Sequence, residues 1–358
     1  MSLHMHKEMR FLKNILFSNF KRLHSPYKIM LALTYRCNLQ CKICNIWRQP
    51  QQEELAIQAL GALFRSVPSL SWLDITGGEI TLRDDIIEVM QEIIKNTKNL
   101  LIIHISTNGQ FPLRLLMLIQ SMVRCRIRLV VNISVDGPRE INTDLRGIGG
   151  SYRKSIETFM LLKKIKKIHC YLSCTISKYN IHYLDDLLLD LRKDIPRFSF
   201  QDLHFNIFHH SSHYYRNNNP GELEGSDYSI IEKYIRSTGT GNVVKSLLER
   251  AYARYLADYL SGKRFPLRCQ ALKSSCFIDP SGGVYPCAMF NRRIGSLQEY
   301  GFNLKKIWEN SNAESTAETI SKRGCPGCWS PCEAYPALLG NMKGVLQGCL
   351  KKRKENNS

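Results

Sequence analysis

From residue 28 to about residue 210 the chain alternates between two apolar periodicities, and this alternation narrows the possible folds sharply. Runs at 29–34, 70–76, 101–107, 128–135, 169–176 and 203–208 are rich in β-branched and apolar residues. Between them apolar residues return at helical spacing, as in Ile86, Val89, Met90, Ile93 and Ile94, and in stretches around 113–123, 152–165 and 181–192. Strands separated by helices predict a parallel sheet with right-handed crossovers. Near-continuous apolar strands such as Leu129-Val130-Val131 predict a sheet covered on both faces. Six such units fall short of the eight that close a barrel. The expectation is an α/β fold, a partial and open (β/α)6 barrel, with chemistry beyond the carboxyl ends of its strands.

The flanks read differently. Residues 1–27 carry an amphipathic helix at 8–23, with Leu12, Ile15, Leu16, Phe20 and Leu23 at helical spacing and Lys7, Arg10, Lys13, Lys21 and Arg22 around them. Such a helix packs on the domain beside it, the favoured expectation, or lies on a membrane. Residues 211–268 form a bridge, polar at first through Asn217-Asn218-Asn219-Pro220-Gly221 and helical at about 243–261. Residues 269–349 are rich in cysteine and poor in periodicity, the look of a small domain in which metal replaces missing core. Residues 350–358 are a basic tail that includes Lys351-Lys352-Arg353-Lys354.

The chain holds 13 cysteines: three at 37–44, seven between 269 and 349, and Cys125, Cys170 and Cys174 among apolar segments, where they are expected to pack as small hydrophobes. No apolar run reaches the roughly 18 residues that span a bilayer, and no secretory cleavage site is evident, so a cytoplasmic location is expected. Cysteines in such a chain point to metal or redox chemistry more than to disulfides. The net charge of +19 favours an anionic partner: nucleic acid, a phosphorylated small molecule, an acidic peptide or an anionic membrane surface. Solvated lysines alone also account for it.

Residues 34–47 read Thr-Tyr-Arg-Cys-Asn-Leu-Gln-Cys-Lys-Ile-Cys-Asn-Ile-Trp. Cys37, Cys41 and Cys44 thus sit at C-x3-C-x2-C directly after the first strand. Iron–sulfur clusters ordinarily take four thiolates, so a loop giving three leaves one iron open to a small molecule. A structural zinc site completed by a remote ligand is the alternative. The motif resembles the signature of the radical S-adenosylmethionine (SAM) superfamily, and the resemblance extends through about residue 210. It implies that Cys37, Cys41 and Cys44 hold a catalytic [4Fe–4S] cluster whose open iron chelates SAM. It also implies that an external donor such as flavodoxin or ferredoxin supplies the electron that cleaves SAM, and that the resulting 5′-deoxyadenosyl radical abstracts hydrogen from substrate.

Further motifs carry the same resemblance. Gly77-Gly78-Glu79 after the second strand is similar to the family's GGE motif, which implies contact with the SAM amino group, Glu79 accepting from the ammonium. Ser106-Thr107-Asn108-Gly109 and Ser134-Val135-Asp136-Gly137 end the next two strands. The resemblance places Asn108, Ser134 and Asp136 in the SAM pocket, with the latter two at the ribose hydroxyls. It places Arg146 near the SAM carboxylate and residues 173–176 near adenine. Two positions depart from the family pattern: Ile43 where an aromatic residue is usual, which weakens packing on adenine, and Ile80 where proline is usual.

In the C-terminal region, Asp279-Pro280-Ser281-Gly282-Gly283 is a hairpin turn signal that brings Cys269 and Cys287 together. Cys325-x2-Cys328 can supply the other half of a four-thiolate site, which could hold a cluster or a zinc. The segment resembles the SPASM/Twitch extension of radical SAM enzymes, which implies one auxiliary [4Fe–4S] cluster at Cys269, Cys287, Cys325 and Cys328, with Cys332 a further ligand candidate. A second, incompletely ligated cluster on Cys276, Cys332 and Cys349 is the alternative.

The function expected is hydrogen abstraction from a peptide or small-molecule substrate, with peptide modification favoured. With about 27 residues ahead of the barrel, cobalamin-dependent methylation is not expected. A molybdenum-cofactor-type GTP cyclase is an alternative, although that family's diglycine terminus is absent from Glu355-Asn356-Asn357-Ser358. A zinc-stabilised nucleic-acid-binding protein is an alternative of another class, disfavoured because it leaves the GGE and SVDG motifs unexplained. Docking of residues 8–23 on a membrane, with a lipid-linked substrate, is a narrower one.

Overall fold

A computed structural model describes residues 3–217, 221–236, 243–262 and 267–345. Cys349, the basic tail and residues 218–220 of the asparagine-rich loop lie outside the described residues.

Six parallel strands follow one another in order: β1 (Lys28–Ala32), β2 (Trp72–Thr76), β3 (Ile102–Thr107), β4 (Arg128–Ser134), β5 (Ile168–Ile176) and β6 (Leu203–Ile207). The helices between them are α2 (Ile57–Arg65), α3 (Ile86–Asn96), α4 (Pro112–Met122), α5 (Arg139–Arg146), α6 (Ser151–Lys163) and α7 (Leu184–Asp194). α1 (Leu3–Phe20) precedes the sheet. α8 (Tyr228–Arg236) and α9 (Val243–Leu260) follow it. The sheet does not close, so the chain has the open α/β barrel expected from its alternation.

The two faces of the sheet differ in a way the apolar runs did not suggest. Ile103, Ile105, Leu129, Val131, Ile133 and Leu172 are buried beneath the helices. The alternate positions His104, Ser106, Asn132, Ser134, Ser173, Thr175 and Asn206 line an interior cavity. Register carries this polarity across the sheet, since Ser106 lies opposite Asn132, Ser134 opposite Ser173 and Thr175 opposite Asn206. One face therefore builds core and the other builds a site.

The C-terminal region joins the same sheet. β7 (Ser275–Ile278) pairs parallel with β1, Cys276 lying opposite Ile29, and turns antiparallel into β8 (Gly283–Tyr285) and β9 (Gly295–Ser296). The hairpin predicted at 279–283 is thus an extension of the barrel's first edge. α10 (Leu304–Trp308), α11 (Ser311–Ser321) and α12 (Pro331–Leu339) complete the region. A buried ion pair ties it down: Lys28 on β1 lies 2.9 Å from Asp74 on β2, and its ammonium also donates to the Cys332 carbonyl of α12. Burial alone would lower the Lys28 pKa; Asp74, Cys332 and Glu333 together outweigh it, and the ammonium is held above its usual range. Trp329 is fully buried, its indole N–H donating to the Tyr252 carbonyl on α9 at 3.0 Å.

The N-terminal helix does not present one apolar face as its sequence suggested. Ile15 and Leu23 pack inward with Tyr27, while Leu12, Leu16 and Phe20 point to solvent. The Asn19 side-chain amide donates to Leu339 O at 3.2 Å and its carbonyl accepts from Met342 N–H at 3.0 Å, which fixes the helix on α12 and its following turn.

Candidate active site

The loop after β1 carries the first cysteines and is pinned on three sides. Gly78 and Glu79 N–H donate to Thr34 and Arg36 carbonyls at 2.7 and 2.8 Å. Gln40 and Lys42 N–H donate to Arg146 and Leu145 carbonyls at the end of α5, at 3.1 and 2.8 Å. Asn45 N–H donates to Tyr215 O at 2.8 Å. The first two contacts need glycine. A Cβ on Gly78 would lie 2.2 Å from Arg36 O, and Gly147, at φ +72°, would place one 2.7 Å from Gln40 O.

Cys37, Cys41 and Cys44 all face one cavity of about 260 Å³. Its walls include Gly77, Gly78, Asn108, Ser134, Asp136 and Arg146, so the sequence candidates converge. Arg146 lies 2.5 Å from Asp136 and 3.7 Å from the Cys41 sulfur, both side chains being largely enclosed. The Thr175 N–H also donates to Asp136, at 2.8 Å. The Asp136 carboxylate is therefore engaged by Arg146 and by the β5 backbone, an arrangement that positions the guanidinium. Burial pushes Asp136 upward, with Arg146 opposing.

Glu79 is the exception. It is fully buried and does not line the cavity. Its carboxylate accepts from the Thr81 N–H and hydroxyl at 3.1 and 2.7 Å, from the Thr107 hydroxyl at 2.8 Å and from Asn108 N–H at 2.7 Å. These bonds join the ends of β2 and β3 and leave the Gly77-Gly78 backbone to face the cavity. Asn108 Nδ2 donates to Asn38 at 2.8 Å and lies 4.0 Å from the Cys37 sulfur.

A segment that carried no motif in the sequence closes the cavity. His209, Tyr214, Tyr215 and Asn217 all line it. The Tyr214 hydroxyl meets Thr76 at 2.7 Å, and Asn217 Nδ2 donates to Ile43 O at 3.1 Å. The polarity of residues 209–217 marked a loop; only their distance from the cysteines, settled by the fold, reveals their place.

In the C-terminal region Cys269, Cys287, Cys325 and Cys328 wall a second, small cavity of about 20 Å³. Cys332 is not among them; it lines the cavity of about 260 Å³. Cys276 is buried on β7. Among the described residues no group of three His, Cys, Asp or Glu side chains is close enough to hold a single metal ion. Four thiols are the donor set of a [4Fe–4S] cluster and of a tetrahedral zinc alike.

Burial pushes the Cys37 thiol up to about 11 and Cys328 to about 12, and raises Cys41, Cys44, Cys269 and Cys287 as well. These thiols stay protonated near neutrality, so a metal entering either site displaces their protons. Arg146 beside Cys41 opposes the rise there. Both donor sets are thiol-only and enclosed, which fits iron–sulfur groups.

Comparison with known proteins agrees. The radical SAM superfamily model matches residues 31–191, and an iron–sulfur cluster-binding domain model matches residues 269–343. The solved structure of anSMEcpe with bound S-adenosylmethionine and Cp18Cys peptide is similar at a TM-score of 0.59 and 18% identity, over 91% of this chain and 99% of that one. SuiB from Streptococcus suis, bound to the precursor peptide SuiA, gives 0.58 at 14% identity, over 82% and 67%. At these identities the likeness is one of fold. A mitochondrial GTP 3′,8-cyclase from Arabidopsis thaliana is 36% identical over 105 residues, so the match spans only 25% of that protein and 27% of this chain. The two family matches, set on a cavity lined by all three cysteines of the signature loop, make the chain an enzyme of the radical SAM superfamily with a C-terminal iron–sulfur cluster-binding domain.

Proposed function

We propose that Cys37, Cys41 and Cys44 hold the catalytic [4Fe–4S] cluster and that the enzyme abstracts hydrogen from a peptide. The observation that carries this reading is the single cavity joining those cysteines to the Gly77-Gly78 backbone and the fixed Arg146. When bound and reduced, the cluster supplies the electron that cleaves SAM to a hydrogen-abstracting 5′-deoxyadenosyl radical. The chain's residues bind and orient. Arg146, held by Asp136, attracts the SAM carboxylate. The Gly77-Gly78 backbone and Asn108 face its amino end. Ser134, Ser173 and Thr175 offer hydroxyls to the nucleoside. Glu79 acts at one remove, holding β2 and β3 in register, and residues 209–217 restrict water. An auxiliary [4Fe–4S] cluster at Cys269, Cys287, Cys325 and Cys328 would serve electron transfer or shape the substrate side, with Cys332 a substrate-side residue. The net charge of +19 suits an acidic flavodoxin or ferredoxin as donor. Among the described residues no helix is long and apolar enough to cross a membrane.

The peptide reading draws support from peptides bound to anSMEcpe and SuiB on the same fold. The partial match to a GTP cyclase favours a second reading. The cavity's charge disfavours it: Arg146 is the one Lys or Arg among the described lining residues, against the several charges of a triphosphate. His209 is lowered to about 4 by burial and adds no charge near neutrality. A triphosphate would find little to neutralise it.

Anaerobic reconstitution, iron analysis and a SAM-cleavage assay under strong reductant test the reading. About eight irons per chain and 5′-deoxyadenosine are expected. Deuterated short peptides should transfer deuterium into 5′-deoxyadenosine and deuterated GTP should not. Zinc without iron, and no cleavage, would reject the assignment. Label arriving from GTP would select the cyclase.

A further inference from the structure

Six of the eleven exposed large apolar side chains among the described residues lie on α1: Met5, Met9, Leu12, Leu16, Phe17 and Phe20. Met9, Leu12, Leu16 and Phe20 recur at i, i+3, i+7 and i+11, which puts them on one face. That face lies opposite Phe11, Ile15 and Ser18, the side by which the helix packs on Tyr27 and Leu339. Packing is therefore already satisfied without the outer stripe, and Phe20 at its end is 83% exposed. Lys13 and Lys21 border the stripe, their ammonium groups 5.6 and 5.4 Å from the Phe17 ring centre.

The stripe runs into a cavity of about 450 Å³, of which Phe20 is one wall. Lys21, Arg22, Arg268, Lys273 and Arg323 line this cavity and no carboxylate does. Glu309 and Glu314 act on Arg22 from outside it. Burial, and then Arg268 nearby, lower the Lys273 pKa.

We propose that the outer face of α1 and this basic cavity dock the enzyme on an anionic phospholipid surface, the stripe entering the interface and the cavity taking a lipid phosphate. Three features select this occupant. A convex ridge of Met, Leu and Phe edged by lysines suits a fluid interface. Anionic headgroups complement the cations. A second copy would bring like charges together, and an acidic protein held by the cavity alone would leave the stripe unused. The inference does not rest on the reaction proposed above, but the basic cavity adjoins the small thiol-lined one, with Cys269 and Cys325 walling both.

Flotation of the full-length reconstituted enzyme with phosphatidylcholine vesicles, with and without phosphatidylglycerol, tests it. Wild type should float only with phosphatidylglycerol, and salt should weaken that binding. Combined Leu12→Ser, Leu16→Ser and Phe20→Ser should reduce binding on the order of a hundredfold while leaving SAM cleavage and the thermal midpoint unchanged. Arg268→Gln with Lys273→Gln should cost about fivefold per cation and leave residual binding less sensitive to phosphatidylglycerol. Glycerol phosphate in solution should compete poorly, since it lacks the apolar half. Wild type that stays unbound, or a serine variant that floats as wild type does, overturns the proposal. So does a vesicle-free dimer that the serine substitutions dissociate, which would assign the stripe to a second copy.

Discussion

Cys37, Cys41 and Cys44 lie on one short loop at the edge of a cavity of about 260 Å³, whereas Cys269, Cys287, Cys325 and Cys328 come from distant parts of the C-terminal region and close on about 20 Å³. The first site combines few thiols with much polar wall, so a ligand besides protein can complete it. The second surrounds its void with thiols and leaves little room for anything but the group they hold. Open coordination suits reaction and full coordination suits structure or electron transfer, by the same logic that separates catalytic from structural metal sites. The sharpest way to break this comparison is to empty the first site alone. Replacing Cys37, Cys41 and Cys44 together by alanine should abolish SAM cleavage, by more than about a thousandfold, and leave about four irons per chain. Iron falling to zero would mean that the C-terminal site holds no cluster of its own.

The seam between the two regions offers the next largest effect. Lys28 and Asp74 are buried, 2.9 Å apart, and the Trp72 indole N–H donates to the same carboxylate at 2.7 Å. Lys28→Met strands Asp74 with Trp72 and His104, and should cost about 3–5 kcal/mol in urea denaturation of the metal-free chain. Lys28→Met with Asp74→Leu should recover much of the loss, because breaking a buried pair costs more than replacing it. A single variant as stable as wild type would show that the C-terminal region is not anchored through this pair.

How much of this could be read from the sequence follows the range of the interactions. Strand and helix alternation is local, and the six strands fall within a few residues of their expected positions. The C-x3-C-x2-C loop and the C-x2-C pair are local as well. What the sequence hid depends on distant partners. The polar half of the sheet is invisible in Leu129-Val130-Val131 because Asn132 and Ser134 matter only once a cavity forms beside them. Glu79 turns inward because Thr107 and Asn108, on another strand end, offer better donors than solvent. The pairing of β7 with β1 joins residues some 245 apart, as with Lys28 and Ser275, and leaves no trace in either segment. α1 is apolar on two sides, so periodicity could not tell its packed face from its exposed one.

A smaller effect sharpens the C-terminal half of the comparison. Cys287→Ala should lower iron to about four per chain and substrate turnover by at least about a hundredfold, with SAM cleavage retained within about tenfold. Cys332→Ala, facing the other cavity, should keep its full iron content. Loss of iron in the Cys332 variant would move that residue into the ligand set.

His209 gives the smallest effect and reports on both regions at once, since it lines the cavity that Cys37, Cys41 and Cys44 face and its ring lies 5.6 Å from that of Tyr259 on α9. Burial, with His210 adding to it, lowers its pKa from 6.5 to about 4. Between those values the unfolded chain binds the proton and the folded chain does not, so unfolding takes up protons and acid favours it. The stabilisation is complete above about pH 6.5 and is lost as pH falls toward 4. His213 carries a shift of the same direction and remains in both proteins, so only the difference between wild type and His209→Gln isolates this ring. Urea denaturation of the metal-free chain at pH 7 and pH 5 should show wild type losing about 2 kcal/mol more than the variant. Equal losses would mean that His209 is hydrated in the folded chain, and that residues 209–217 do not seal the cavity on which the contrast between the two sites depends.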